Sequence, residues 1–304
     1  MADRVIDLLM KSKNSTGGYD IMHPITKTTN VKTNESIEVM LTDPIGSYSN
    51  GDVIDANTSV DVIIKKLVQQ QIPPVYTTPS ISLAVAGKAA GSYEAGTSCN
   101  PSFTSTFTVG DAGAITEHKL TKGDETVATG TGASLTHSET FILGDETVKF
   151  KSSCTYEAGA IKNDNFGEPY ASTAIGAGTK TSSEKSYTGF RKYFHGADNT
   201  TTAPVASSEI RALTGGTSAA ANGNTFTLKV TAGQRRAMFA YPATLRDVTS
   251  VKYVEMGNDE SKTFFNKTLV DVEGADGFDA ISYKVYTYIP DQAFPSNMTL
   301  TVTI

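Results

Sequence analysis

The chain's four histidines, His23, His118, His137 and His195, are its residues best suited to acid–base catalysis or metal binding. They are far apart in the sequence, and none forms a pair at metal-site spacing. A Ser-His-Asp triad assembles in space and cannot be read from spacing. However, the sequence has no nucleophile elbow, no phosphate-cradling glycine loop and no HExxH motif. We therefore predict a protein that is not an enzyme, with no catalytic residue, cofactor or metal ligand.

Two acidic clusters have residue types that suit other chemistry. Residues 163–168, NDNFGE, offer oxygen ligands for Ca²⁺, but Asn and Asp also form turns by bonding to the local backbone. The second cluster resembles the paired carboxylates of a glycosidase, although its Asp-Gly step between two strand-like runs predicts a hairpin. We favour turns at both places; the carboxylates of the second are Asp271, Glu273, Asp276 and Asp279.

Aromatic residues are the remaining candidates for ligand contact. In residues 187–196, YTGFRKYFHG, the rings either form a contact patch or anchor a core or subunit interface, and we favour the second. Arg191 and Lys192, in the same segment, are placed to meet a carboxylate. Further on, strand alternation puts Tyr286 and Tyr288 on the face opposite Tyr283. Because tyrosine is enriched at interfaces, we predict that Tyr286 and Tyr288 face solvent or a partner.

Cys99 and Cys154 are the only cysteines. They could bridge the two sheets of a β-sandwich. We favour two buried thiols, since nothing in the sequence indicates an oxidising compartment.

Composition and charge narrow the class of protein. Gly, Thr, Ser and Asn are abundant, the net charge is −6 and the pI is about 5.3. This balance argues against a sequence-independent nucleic-acid binder. We find neither a secretory signal nor a segment of membrane-spanning length, so we expect synthesis in the cytosol and no membrane insertion.

Residues 58–71, TSVDVIIKKLVQQQ, form the one strong helical pattern. Thr58 and Asp61 resemble a capping box, and Pro73 and Pro74 end the helix. A helix this short needs a partner for its apolar face, either the β-rich body or copies of itself. The extended arm before it and the proline exit after it favour copies. The predicted oligomer seam is Val60, Ile63, Ile64, Leu67 and Val68.

Elsewhere the pattern is that of strands and turns. Residues 36–42 alternate as a strand within an otherwise extended arm. Short, regularly spaced strands follow, and GDETV occurs at both 123–127 and 144–148, which predicts two equivalent loops. Residues 225–231 and 298–304 alternate cleanly, which indicates half-buried antiparallel strands, the last one built into a terminal sheet.

The predicted fold class is therefore mainly β, with an extended N-terminal arm, one short helix, an immunoglobulin-like sandwich and a C-terminal antiparallel β-domain. The predicted segments are arm 1–57, helix and Pro-rich connector 58–80, sandwich 81–157, Gly/Ser/Thr-rich connector 158–222 and C-terminal knob 223–304.

Three stretches resemble bacteriophage virion proteins of the fibre or fibre-adaptor kind, as found in tailed phages of gut bacteria. They are HPITK at residues 23–27, GDVI at residues 51–54 before the helix, and the pair AYPAT at residues 240–244 with YKVY at residues 283–286. The resemblance covers about half of the chain. The absence of a long repetitive shaft favours a short head fibre or adaptor over a tail spike.

The resemblance implies a homotrimer whose N-terminal part docks on capsid or tail proteins while its β-domains project outward. The expected location is the virion, after synthesis in the host bacterial cytoplasm. One alternative is a module that binds a host surface glycan or another receptor through Tyr286 or Tyr288. A further alternative is a hydrolase of cell-surface polysaccharide.

Overall fold

The computed structural model describes residues 10–13, 19–22, 32–40, 44–216, 225–255 and 261–304. Strands dominate this part of the chain, so the predicted mainly-β class is confirmed. The chain divides into two compact units. We call residues 1–78 with 158–176 the N-terminal unit, and residues 79–157 with 177–304 the β-unit.

The N-terminal unit combines two small strand pairs with one helix. Strands β1 (Met10–Lys13) and β2 (Tyr19–Met22) pair antiparallel. Strands β3 (Ile37–Glu38) and β4 (Val53–Ile54) form the second pair, and helix α1 (Val60–Val68) follows. Within the arm predicted at 1–57, the described residues therefore include two antiparallel strand pairs. Residues 23–27 and 41–43 lie outside the described residues.

The predicted ends of the helix need correction. Its N-cap is Ser59, without a side-chain capping bond. The Thr58 hydroxyl donates instead to the Asp55 carbonyl at 2.6 Å, so the predicted Thr58 capping box is wrong. The helix ends at Val68 because Gln69 is already extended. At nine residues α1 is the longer of the described α-helices, and neither is fit to cross a membrane.

The first part of the β-unit is a two-sheet sandwich, as predicted. Strand order is β10-β9-β13-β15-β6 in one sheet, with β14 beside β13, and β11-β8-β5 in the other; β7 pairs with β12. Strands β6 and β15 run parallel, and the other pairs are antiparallel. The strands are β5 (Ser80–Gly87), β6 (Gly91–Glu94), β7 (Ser98–Cys99), β8 (Pro101–Thr108), β9 (Ile115–Lys122), β10 (Glu125–Gly130), β11 (Ser134–Ser138), β12 (Phe141–Ile142), β13 (Thr147–Tyr156), β14 (Gly178–Thr181) and β15 (Lys185–Phe190).

Side chains from both sheets meet in one core, which is why the strands alternate. Strand β8 buries every second residue, as its sequence pattern requires. Cys99 and Cys154 are buried and unpaired, so the predicted thiols are confirmed. Burial raises the pKa of both thiols, which keeps them protonated near neutral pH. The core residues include Leu83, Phe103, Leu120, Leu143, Phe150 and Tyr187.

The C-terminal domain stacks a five-stranded antiparallel sheet, β17-β16-β19-β22-β21, on a three-stranded antiparallel sheet, β18-β23-β20. The terminal strand β23 is the central strand of the smaller sheet, as predicted from its alternation. The elements are β16 (Tyr193–Asp198), helix α2 (Ser207–Arg211), β17 (Thr214–Gly216), β18 (Thr225–Val230), β19 (Arg236–Pro242), β20 (Ser250–Tyr253), β21 (Asn266–Val272), β22 (Ile281–Tyr288) and β23 (Met298–Thr303), with short 3₁₀ turns at Ser261–Phe264 and Ala275–Gly277.

The five-stranded sheet is covered on both faces. One face packs on the smaller sheet through Phe239 and Tyr286; the other carries Phe194, Tyr283 and Val285 against Ile210 of α2. Every residue of the central strand β19 is consequently buried. The hairpin predicted near Asp276 joins β21 to β22 and is confirmed.

The predicted connector 158–222 is wrong in its described part. Strands β14 and β15 complete the sandwich, and β16 with β17 belongs to the C-terminal domain. Residues 158–176 belong to the N-terminal unit. Residues 217–224 lie outside the described residues. Short strands in a Gly/Ser/Thr-rich segment lack the apolar alternation by which longer strands are found.

We expect Leu228→Ala to destabilise the C-terminal domain by about 2–5 kcal/mol, because the Leu228 side chain is fully buried between the two sheets. Leu269→Ala is the matched control, since Leu269 is 64% exposed, and should change the free energy of unfolding by less than about 0.5 kcal/mol. Urea unfolding of both variants gives the comparison. An equal loss of unfolding free energy in the two variants would contradict the burial of Leu228 between the two sheets.

Candidate functional site

The residues of the predicted oligomer seam lie along α1, and none of them is buried. Ile64, Leu67 and Val68 are 47%, 40% and 72% exposed. Val60 and Ile63 are half-buried. Within the described residues, this apolar stripe is therefore available to another molecule.

Exposed apolar surface is concentrated in the N-terminal unit. Ten of the fifteen large hydrophobic residues that are exposed in the described chain belong to it, although it is much the smaller unit. Tyr48 is its one buried hydrophobic residue among those described. Exposed patches of this kind mark interaction surfaces in soluble proteins. The described part of the unit thus exposes much apolar surface and buries little of it.

Helix α1 is held by contacts that leave its apolar stripe uncovered. The Ser47 amide and hydroxyl both donate to the Lys66 carbonyl, at 2.7 and 3.1 Å. Gly46 has a φ of +62°, and a Cβ there would lie 2.1 Å from the same carbonyl, so only glycine allows this approach. The Lys66 ammonium lies about 6 Å from the rings of Tyr48 and Phe166. These contacts fix α1 through its last turn and its polar side.

Residues 163–168 form the turn that we favoured over a calcium site. The Asp164 carboxylate accepts the Phe166 and Glu168 amides at 2.8 and 3.0 Å. Hydrogen bonds from the Gln71 amide and these backbone groups outweigh desolvation and lower the pKa of Asp164. Among the described residues, no three His, Cys, Asp or Glu side chains come together as a possible metal site.

The same turn holds the Pro-rich connector that follows α1. Asn165 accepts the Ile72 amide at 2.7 Å and donates to the Gln70 carbonyl at 3.1 Å. The Gln71 side chain donates to Asp164 at 2.6 Å. The exit of the chain from α1 is therefore fixed by a segment about 93 positions further on.

Within the β-unit, two charged residues form the direct link between the sandwich and the C-terminal domain. Arg191 and Lys192 are the residues between β15 and β16. Buried Arg191 binds both oxygens of Asp145, at 2.6 and 2.9 Å, and donates to the Asp279 carbonyl at 2.7 Å. The carboxylate that Arg191 meets is thus one of the chain's own, that of Asp145. A bidentate guanidinium–carboxylate pair fixes distance and angle together.

A second ion cluster at the junction centres on Glu94. Its carboxylate receives Arg211 at 2.7 Å and Lys192 at 2.9 Å. Burial alone would raise the pKa of Glu94, but hydrogen bonds and charge from both cations outweigh it and lower the pKa. The Ala275 amide also donates to the Ala95 carbonyl at 2.7 Å. The two domains are thus joined by ion pairs and by backbone contacts.

The repeated GDETV sequence does not form two equivalent loops. Its first copy makes the hairpin turn between β9 and β10, whereas its second lies between β12 and β13. Asp145 of the second copy binds Arg191, while Asp124 of the first lies at an exposed turn. Identical local sequence therefore has two roles, set by what packs beside it.

A serine–histidine pair lies inside the sandwich. His118 Nε2 is 2.8 Å from Ser105 Oγ, and its Nδ1 is 2.8 Å from the Gly132 carbonyl. The carbonyl can only accept, so Nδ1 carries a proton and, in the neutral ring, Nε2 accepts from Ser105. Ser152 completes the network, 2.6 Å from Ser105.

This pair resembles a nucleophile and its base, but Ser105, His118 and Ser152 are 0% exposed. A nucleophile must reach the substrate. We conclude that the network satisfies buried polar groups and holds the two sheets together. His137 and His195 are half-buried elsewhere, and burial lowers the pKa of His195. His23 lies outside the described residues.

The prediction that Tyr286 faces solvent or a partner is wrong. Tyr286 is 5% exposed and stacks against both Phe239 and Tyr241, at centroid distances of 4.9 and 5.8 Å. The alternation of β22 was read correctly, but the second sheet covers the face that we expected to be open. Tyr288, near the end of the same strand, is half-buried and lines a cavity.

This cavity lies within the C-terminal domain and has a volume of about 400 Å³. Tyr288 is central to its wall, with Phe264, Phe265 and Phe294 at centroid distances of 5.6, 5.8 and 5.6 Å. The described lining includes no charged side chain. The sequence analysis did not identify Phe264 and Tyr253 as part of a site. The signal available for them was the clustering of aromatic residues around positions 253, 264 and 288.

The four carboxylates considered for glycoside cleavage do not form an enclosed site. Asp271, Glu273, Asp276 and Asp279 are exposed around the β21–β22 hairpin. The Glu273 and Asp279 backbone carbonyls accept hydrogen bonds from Arg211 and Arg191. This segment therefore contributes to the domain junction.

No family model matches the chain, and no curated protein or solved structure matches it either.

Acid should weaken the domain junction through Glu94. The pKa of Glu94 is lowered on folding, so its stabilisation is fully present above its unfolded pKa of about 4.5 and is lost as pH falls through the folded value. Glu94→Gln should therefore lose stability at pH 7 and show a shallower decline below pH 4.5. Urea unfolding from pH 7 to pH 3 measures this. The control Glu117→Gln alters an exposed ion pair and should follow the parent profile.

Ser105→Ala should destabilise the sandwich by about 1–3 kcal/mol, because it removes the closer of the two serine hydroxyls at buried His118 Nε2, 2.8 Å against 3.3 Å for Ser152, and also the partner of Ser152. Ser134→Ala, at an exposed serine of the neighbouring strand β11, should be nearly neutral. Thermal unfolding compares the two variants. A neutral Ser105→Ala would show that the network contributes little.

Proposed function

We propose that this chain is a structural protein of a bacteriophage virion, a homotrimeric fibre or fibre-adaptor assembled through its N-terminal unit. The observation that carries the proposal is the concentration of exposed apolar residues in that unit, with the stripe of α1 uncovered. The resemblance of the sequence to fibre and fibre-adaptor proteins supports trimeric symmetry and a virion location.

Self-association resolves the energetic problem of α1. Isolated helices shorter than about 12–15 residues are marginal in water, and α1 has nine. Burying one exposed Leu or Ile side chain contributes roughly 1.5–3 kcal/mol. A three-fold axis along the stripe of Ile63, Ile64 and Leu67 brings the same residues of three copies together. The seam is then self-complementary without needing a second kind of protein.

The β-unit supplies the part that projects. Its two domains are joined by the Arg191–Asp145 pair and the Glu94 cluster, and these contacts limit bending at the junction. A projecting structure benefits from such a junction because bending would otherwise concentrate at the two-residue linker.

The remaining residues of the arm dock on another virion protein, of the capsid or of the tail, in this proposal. The chain is made in the host bacterial cytoplasm and acts without catalysis, cofactor, nucleic acid or membrane insertion. The sealed Ser105–His118 pair and the exposed hairpin carboxylates give no support to the hydrolase alternative.

Ile64→Asp should dissociate the trimer, because it places three carboxylates in one apolar seam. Light scattering after size exclusion at micromolar concentration should give three times the 32.2 kDa chain mass for the parent and one chain mass for the variant.

The matched control is Lys65→Ala, on the same helix but outside the stripe, with 63% of its side chain exposed. It should remain trimeric. A monomeric parent would overturn the proposal, and a trimeric Ile64→Asp variant would place the seam elsewhere.

A further inference from the structure

We propose that the aromatic cavity of the C-terminal domain binds a neutral sugar ring, with an apolar face of the pyranose stacked on Phe264 or Tyr288. This proposal does not rest on the oligomer seam. It keeps the predicted contact at Tyr288 and replaces buried Tyr286 with Phe264 and Tyr253.

The size of the cavity suits a small ring. Ligand sites in proteins have volumes of about 300–1,000 Å³ and combine apolar walls with a few polar groups. This cavity has about 400 Å³ and lies between β20, the Ser261–Phe264 turn, the end of β22 and the start of β23. It is therefore large enough for one hexose and too small for a folded partner.

Its walls present aromatic surface that the fold leaves uncovered. Phe264 is 57% exposed although Tyr288 packs 5.6 Å from it. The C–H groups on one face of a pyranose contact such a ring and remove apolar area from water. The ring of Phe264 thus offers a stacking platform at the cavity.

The charge of the lining selects the class of sugar. No Asp, Glu, Lys or Arg lines the described cavity. An anionic sugar would lose hydration without gaining a cation, and a cationic ligand would gain no carboxylate. The described lining therefore suits an uncharged occupant.

Polar lining groups distinguish a sugar from a purely apolar ring. Tyr253, Tyr288 and Gln292 line the cavity, and their polar side-chain atoms make no hydrogen bond within the described chain. These two hydroxyls and one amide can donate to and accept from sugar hydroxyls. A purely apolar ring, such as that of proline, would fill the space but would offer these polar groups no hydrogen bond. A sugar forms hydrogen bonds with them and therefore suits more of the lining.

Saturation-transfer difference NMR on the full chain tests the proposal. The probes are the methyl glycosides of glucose, mannose, galactose and N-acetylglucosamine. We expect transfer to the ring protons of at least one probe, and a roughly 5- to 10-fold weaker affinity for Phe264→Ala, as expected for losing a stacked ring. Tyr253→Phe, which removes only a hydroxyl, should also weaken binding.

Leu269→Ala is the control, because Leu269 is an exposed apolar residue of the same domain outside the cavity lining. It should bind like the parent. The proposal is overturned if no glycoside shows transfer or if Phe264→Ala binds as well as Leu269→Ala. Light scattering on the same samples gives the oligomeric state, so that a loss of sugar binding can be distinguished from a loss of the trimer.

Discussion

The Arg191 guanidinium is bonded on both sides of the link between the two β-domains, to the Asp145 carboxylate and to the Asp279 carbonyl. The linker has only two residues, so the domains approach closely. A Cβ at Gly96 would lie 2.1 Å from the Ala275 carbonyl, which excludes any side chain there. Lysine has one charged nitrogen and cannot satisfy both partners in a fixed plane. The orientation of the C-terminal domain on the sandwich depends on this geometry.

The two units differ in how they use apolar residues. In the β-unit, the sandwich and the C-terminal domain each enclose a core, and the central strand β19 is buried throughout. In the described part of the N-terminal unit, ten large apolar side chains are exposed and only that of Tyr48 is buried. The hydrophobic effect is proportional to area removed from water, so it stabilises the β-unit within one chain. In the described part of the N-terminal unit, this driving force contributes much less within one chain, because little apolar area is removed from water there.

The alternation of apolar and polar residues predicted correctly those strands that bury one face and expose the other. The buried residues of β18 and β23 follow alternation because one face of each strand meets the core and the other meets water. Alternation did not predict the burial of Tyr286, because a second sheet built from distant residues covers that face of β22. It also failed at β14 and β15, whose small and polar residues carry no clear period. The cavity was missed because its lining comes from separate segments that only the fold brings together.

The N-terminal unit is discontinuous in the chain: it ends at Thr78 and resumes at Ala158. Contacts such as Gln71–Asp164 span 93 positions, which the ribosome needs roughly 5–20 s to synthesise at 5–20 residues per second. The N-terminal unit is therefore completed only after most sandwich strands have been synthesised. Until then, the segment after α1 lacks the turn that fixes its exit. The contacts that hold the exit from α1 therefore form late, after the sandwich strands that separate the two parts of the unit in the sequence.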